Sequence, residues 1–323
     1  MQLEVAEGVV GRDADEAISQ ARAAQDRSAP DGKARALSPS RAADFMQCPL
    51  LYRFRVVDQL PEPVSPAAAR GTLVHAVLER LFELPAADRT VEAAVALVPG
   101  EWDRLLQEEP EWAALVRDEA VSQSGALVLD AAALEREAAS LVEGWFEVED
   151  PTLLQPEETE LYVEADLDGL VIRGVIDRLD VAPDGRLRVV DYKTGRAPSE
   201  TFEGRALFQL KFYALALWRS RGVLPSRLQL VYPRDRTALW IDPTEADLLA
   251  TERKVLALWA AIEQAATTGD WRPRAGRACR WCAHQSVCPT FGGTPPPLPP
   301  DAAARALDPR AAGQVEVTEV TPA

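Results

Sequence analysis

Three residues in the middle of the chain have types and spacing suited to phosphate chemistry. Asp177 closes the run Gly174-Val175-Ile176-Asp177, and Asp191 opens Asp191-Tyr192-Lys193. The two runs have strand composition and are joined through Asp184-Gly185, a hairpin turn signal. Pairing them about that turn sets Asp177 and Asp191 nearly opposite each other, so both carboxylates face one site. Like charges that close are costly unless a cation lies between them, and hard oxygen ligands select Mg²⁺ or Mn²⁺. Lys193 lies two residues beyond Asp191 and, by the strand period of two, projects from the same face. A carboxylate and an ammonium presented together beside a divalent ion suit phosphodiester hydrolysis: the ion activates water, and the ammonium steadies charge in the transition state. Taken alone, Asp-x-Lys on a strand is more often a surface ion pair.

The cysteines form a second group. Three of the four, Cys279, Cys282 and Cys288, are bunched, and Cys48 stands over two hundred residues upstream. So few cysteines in 323 residues make a poor disulfide framework and a better metal site. Thiolates suit iron–sulfur or zinc. A local zinc set of Cys279, Cys282, His284 and Cys288 is one reading, although it leaves Cys48-Pro49 unexplained.

The elements that must position these groups follow from the local pattern. Ser38-Pro39-Ser40 reads as a helix start, and Pro49 should end or kink that helix just after Cys48. Gly71-Thr72 opens a second helix with an apolar stripe at Leu73, Val77, Leu78 and Leu81, on which His75 and Glu79 share a face. Residues 91–149 read as two or three helices carrying Trp102, Trp112 and Trp145, with no evident chemistry. The period then changes to two: a strand through Leu161–Leu167, a turn at Asp168-Gly169, LVIRGVID, the turn at Asp184-Gly185 and LRVVDYK make a three-stranded antiparallel meander. A helix near 200–220, strands at RLQLVYP and TALWI, and a helix from about 244 to 267 complete an α/β core.

In this order, Arg70-Gly71-Thr72-Leu73-Val74-His75-Ala76-Val77-Leu78-Glu79, Gly174-Val175-Ile176-Asp177, Asp191-Tyr192-Lys193-Thr194-Gly195 and Gln209 with Tyr213 one turn on resemble the RecB-like PD-(D/E)XK nucleases. That superfamily includes the RecB and AddB nuclease domains and the CRISPR-associated adaptation nucleases, and the likeness is strongest to stand-alone RecB family exonucleases. It spans residues 37–292. The resemblance implies a restriction-endonuclease-like core with a mixed sheet, a helical insertion over 84–160, and a Cys-cluster region, 279–288, closing on the N-terminal Cys48. It also implies that His75, Asp177, Asp191 and the backbone carbonyl of Tyr192 hold Mg²⁺ or Mn²⁺, that Lys193 is the catalytic lysine, and that Gln209 and Tyr213 orient it or contact DNA. Glu79 is a candidate for a second metal. Cys48, Cys279, Cys282 and Cys288 match the one-plus-three arrangement of a [4Fe–4S] cluster in relatives. The implied activity is metal-dependent exonucleolytic cleavage of single-stranded DNA, or DNA with free ends, in repair or recombination. A catalytically silent DNA-binding module, or an accessory subunit of a helicase–nuclease complex, is the alternative. With no Walker motif in the chain, any helicase is a separate partner.

The net charge of −16 is unusual for a DNA-handling protein, but its distribution is uneven: residues 84–160 carry −15 and residues 161–292 carry +3. The acidic stretch reads as a solvated helical face. Arg173, Arg178, Arg196, Arg205 and Lys211 are expected in solvent, some lining a DNA path, and Arg272, Arg274, Arg277 and Arg280 surround the cysteines. Residues 1–36 and the Pro-rich 293–323 are expected to be disordered. No signal peptide or membrane span is evident, so a cytoplasmic protein that does not engage membranes is expected.

Overall fold

The computed structural model describes residues 35–63, 65–115, 131–198 and 203–308. Its centre is a mixed six-stranded sheet in the order β1-β3-β4-β5-β6, with β2 paired to β3. The strands are β1 (Ala36–Leu37), β2 (Pro156–Leu167), β3 (Leu170–Val181), β4 (Leu187–Tyr192), β5 (Arg227–Tyr232) and β6 (Thr237–Ile241). The meander β2-β3-β4 is antiparallel, β4 and β5 run parallel, and β5 and β6 are antiparallel. Asp168-Gly169 makes the first turn, with both residues at positive φ, and Gly185 takes the left-handed position of the second.

The central strands β4 and β5 are buried on both faces, as parallel neighbours in an α/β layer must be. Val189, Leu228 and Leu230 pack into one core, with helices α1 (Pro39–Gln47), α6 (Glu203–Arg221) and α7 (Glu245–Thr268). Val190, Tyr192 and Val231 alternate with them and enter a second core, built by α3 (Pro66–Glu83), α4 (Val91–Glu108) and α5 (Ala131–Phe146). The predicted acidic insertion therefore supplies α4 and α5, which join α3 in covering the second face of the sheet. Its polar side faces solvent, while Trp102 and Trp145 are almost wholly buried.

Helix starts follow their caps. Ser38 accepts from Arg41 N with Pro39 in the first turn, and Ser65 accepts from Ala68 N, so α3 begins five residues before the Gly71 expected to open it. Pro49 does end α1, at Cys48, but the chain coils on at once as α2 (Pro49–Tyr52) and a π-helical turn over Arg53–Val57. Strand β2 also begins inside the span assigned to the insertion.

Two expectations of disorder need correction within the described residues. Ala36 pairs with Val171 in the sheet. The Pro-rich segment continues past residue 293 into α8 (Ala302–Leu307), where Ala306 is buried and its carbonyl accepts the Tyr52 hydroxyl at 2.7 Å. The segment lacks aromatic residues after Phe291, but small side chains and backbone acceptors are enough to dock it. The remaining parts of both expectations lie outside the described residues. No helix among the described residues is long and apolar enough to cross a membrane.

Candidate active site

Five elements deliver side chains to one end of the sheet. Helix α3 brings His75, β2 brings Glu160, β3 brings Asp177, the end of β4 brings Asp191, Tyr192 and Lys193, and α6 brings Gln209 and Tyr213. Arg178 pairs with Val190, so the next step along the ladder sets Asp177 against Asp191, as expected from the turn.

The Tyr192 peptide is the hub. Its N–H donates to Asp177 Oδ2 at 2.6 Å, and its carbonyl oxygen lies 3.0 Å from His75 Nε2. His75 Nδ1 is 3.5 Å from Asp177 Oδ2. Beside this group, Lys193 Nζ is 2.6 Å from Asp191 Oδ2 and donates to Gln209 Oε1 at 2.8 Å, while Gln209 Nε2 donates to the Tyr213 hydroxyl at 2.8 Å. His75, Asp177, Asp191, Tyr192, Lys193, Gln209 and Tyr213 thus gather about one strand end, although Asp191 lies outside the potential ligand group of His75, Glu160 and Asp177. Glu79, one turn beyond His75, stands outside the potential ligand group of His75, Glu160 and Asp177.

The electrostatics are those of a site short of positive charge. Burial and the nearby Asp191 carboxylate hold the Asp177 acid well above the ordinary carboxylate range. Burial holds the His75 imidazole below its usual value, favouring the neutral form in which a ring nitrogen can be a ligand. The fit to a divalent cation rests on two observations. Ligand atoms of His75, Glu160 and Asp177 lie within 4.8 Å of one another. Asp191 is 1 % exposed, yet its Oδ2 has no aligned hydrogen bond despite its short approach to the lysine. A cation would satisfy that oxygen and relieve the repulsion between the carboxylates.

Glu160 is absent from the sequence reading. Thr159 pairs with Arg178 and Leu161 with Ile176, leaving Glu160 opposite Asp177 across the β2–β3 ladder. The same count about the Asp168-Gly169 turn that pairs Asp177 with Asp191 about the second turn would have found it. Its φ of 49° is uncommon for a residue with a side chain, and such strain tends to collect where function requires it.

Arg178 corrects another expectation: it is fully buried, not solvated. The guanidinium is neutralised by Asp180, two residues on along the same strand face, and by Glu149, which comes from a segment 29 residues upstream. Lys211 sits 3.5 Å from Asp247, Arg196 is exposed, and the side chain of Arg205 lies outside the described residues.

The four cysteines form a separate site. Cys48, Cys279, Cys282 and Cys288 line a cavity of about 280 Å³ with apolar walls that include Leu51 and Phe54. Burial raises the Cys282 thiol, and the other three sulfurs are near enough to raise it further. Backbone N–H groups of Arg274 and Gly276 donate to the sulfurs of Cys48 and Cys279, each at 3.3 Å. His284 Nε2 is 2.7 Å from Glu62 Oε1, and its ring lies edge-on to Phe54.

The profile of the PD-(D/E)XK nuclease superfamily matches residues 36–289. The chain belongs to this superfamily. The Gene 69 proteins of Mycobacterium phages D29 and L5 are similar to it, 35% identical over 136 residues and 29% over 153. Those matches cover 41% and 46% of this chain and 48% and 50% of the phage proteins, so the chain spans about half the length of the curated relatives it matches. Among solved structures, an inferred exonuclease from Eubacterium rectale superposes with a TM-score of 0.50 at 12% identity, over 78% of this chain and 88% of that one. That likeness concerns the fold, a mixed α/β restriction-endonuclease-like PD-(D/E)XK core. Superfamily nucleases use divalent metals, and the carboxylate and histidine group has the ligand chemistry for one.

Proposed function

We propose that this chain is a divalent-metal-dependent nuclease that hydrolyses DNA phosphodiester bonds, acting as an exonuclease on single strands or free ends in repair or recombination. The observation that supports the reading is the gathering of His75 and Asp177 about the Tyr192 backbone, with Glu160 in the same potential ligand group and the Asp191–Lys193 pair on either side of Tyr192. Glu160 joins this set as a further ligand. Bound there, Mg²⁺ or Mn²⁺ would supply Lewis-acid neutralisation of the phosphate and a more acidic water.

The chain's own residues do the rest. The Asp191 charge and the Gln209 hydrogen bond hold the Lys193 ammonium, so an N–H not given to Gln209 can face a phosphate oxygen or the attacking water. Tyr213 fixes the Gln209 amide, and hence which atom Gln209 presents to the lysine. The exonucleolytic reading draws support from the inferred activity of the E. rectale protein and from the resemblance of the motif series to stand-alone RecB family exonucleases. A separate helicase would supply unwinding where duplex is the substrate.

At the second site, the four cysteines would hold a [4Fe–4S] cluster, supplying a cross-link between segments over two hundred residues apart. The local zinc set with His284 is disfavoured, because Cys48 lines the same cavity as the other three cysteines while His284 Nε2 is engaged by Glu62.

The test is digestion of end-labelled single- and double-stranded DNA by the full chain, purified anaerobically, with Mn²⁺ or Mg²⁺. The expected result is shortening of single strands from an end, abolished by EDTA and reduced roughly 10²-fold or more in Asp191→Ala, the scale of a preorganised charge-stabilising group. Absence of cleavage, or cleavage indifferent to EDTA and to Asp191→Ala, would overturn the proposal.

A further inference from the structure

Behind the candidate metal site lies a buried ionic network that the chemistry above does not use. Arg178 is fully enclosed, and all five of its N–H groups have acceptors. Its Nε donates to Asp180 Oδ1 at 3.0 Å, and Nη2 donates to Asp180 Oδ2 at 3.1 Å and to Glu149 Oε1 at 2.8 Å. Nη1 donates at 2.8 Å both to Glu149 Oε2 and to the Tyr192 hydroxyl. Glu149 also accepts from Trp145 Nε1 and Gln229 Nε2, each at 3.1 Å. Asp180 accepts from Arg188 Nε at 2.8 Å. Two carboxylates thus meet two guanidinium groups.

Burying ion pairs is an inefficient way to stabilise a fold, since well-packed apolar residues do as well or better. What this network fixes is direction. Tyr192 touches both it and the candidate metal group: the hydroxyl lies in the network, and the backbone N–H and carbonyl face Asp177 and His75. The ring is boxed edge-on by Trp145 at 6.3 Å and His75 at 5.8 Å. Because Asp191 and Lys193 flank Tyr192 along the strand, holding its ring sets the aim of both.

We propose that Arg178 and Glu149 are positioning residues for the metal site: they clamp the Tyr192 side chain so that its peptide and the flanking Asp191 and Lys193 stay aimed at the ion. Glu149 and Trp145 come from the end of the acidic helical segment, which gives that segment a part in the chemistry besides covering the sheet. The inference rests on the metal-site reading above.

The test titrates the full chain with Mn²⁺ alone, without DNA, following bound metal by electron paramagnetic resonance and measuring unfolding midpoints in parallel. Tyr192→Phe deletes only the hydroxyl. Tyr52→Phe is the control, since it deletes another buried hydroxyl, one bonded at 2.7 Å to Ala306 O and to none of the site residues. Both variants should lower the midpoint, but only Tyr192→Phe should weaken Mn²⁺ binding, by about tenfold or more, the range for groups that orient metal ligands. Arg178→Lys keeps the charge without the fork and should weaken binding at least as much. If the unsubstituted chain binds Mn²⁺ and Tyr192→Phe binds it equally well, or if Tyr52→Phe weakens it as much, the positioning role is overturned and the metal site stands. If the unsubstituted chain binds no Mn²⁺, both readings are overturned.

Discussion

Gly174 offers a way to move the lysine without touching it. A Cβ built at this position would lie 2.5 Å from Tyr213 Cε1 and 3.1 Å from Cδ1. Ordinary carbon contacts are about 3.5 Å or longer, so Gly174→Ala must push the ring back by about 1 Å. Tyr213 is only 6 % exposed and sits in the main core, so it cannot swing into solvent. The displacement passes to Gln209 through the 2.8 Å bond from its amide, and from Gln209 to Lys193 through a second 2.8 Å bond. Overpacking of this kind costs about 1–3 kcal/mol, and a misplacement of about 1 Å at a reacting group can cost roughly 10²-fold in rate. Gly174→Ala should therefore lose about 2 kcal/mol of unfolding free energy and roughly 10² in kcat/KM on an end-labelled strand, while Mn²⁺ affinity stays within about twofold, since Lys193 is no ligand. A double-mutant cycle separates steric relay from general softening. In a Tyr213→Ala background the ring is gone, so adding Gly174→Ala should change the rate little. If Gly174→Ala keeps its rate while folded, or if the two substitutions multiply independently, the relay from Tyr213 to Lys193 is refuted.

Asp177→Asn should stabilise the metal-free protein at neutral pH. The folded protein holds this acid above its unfolded value, so it binds more protons than the unfolded chain between the two. Stability conferred by that group is present in acid and is lost as pH rises from the ordinary carboxylate range through the raised value. Thermal unfolding of both proteins in EDTA across that window should show the Asn variant gaining on the unsubstituted chain as pH rises, and parallel curves would refute it. Cys48→Ser should abolish visible iron–sulfur absorbance after anaerobic reconstitution, whereas His284→Gln should retain it. An unsubstituted chain without that absorbance that binds zinc instead, and loses the zinc in His284→Gln but not in Cys48→Ser, would support the local zinc set.

Much of the candidate site was legible because strand pairing is arithmetic. The period of two and the Asp-Gly turns suffice to bring Asp177, Asp191 and Lys193 together, and the helical period places Gln209 one turn from Tyr213. Glu160 was equally within reach of that arithmetic, but Pro156–Glu160 lacks the apolar alternation that marks the rest of β2. Arg178 and Glu149 were not legible. Nothing local distinguishes an arginine bound for the interior from one in solvent, and one of its two neutralising partners, Glu149, stands 29 residues away in a segment read as a solvated face. Strand β1 was missed because two residues are too short to show a period, and α8 because its docking uses backbone carbonyls and small side chains.

The closure of residues 45–58 onto residues 271–306 has a bearing on biosynthesis. Cys48 receives the Arg274 amide, Tyr52 stacks on Trp271 and reaches Ala306, and Arg53 donates to the Pro296 carbonyl. Each of these partners leaves the ribosome more than two hundred residues after the group it satisfies. A nascent chain therefore carries Tyr52 and the Cys48 thiol uncovered until translation of the fold is nearly complete. Premature termination before Trp271 would leave an apolar seam exposed, a ready target for chaperones and proteases.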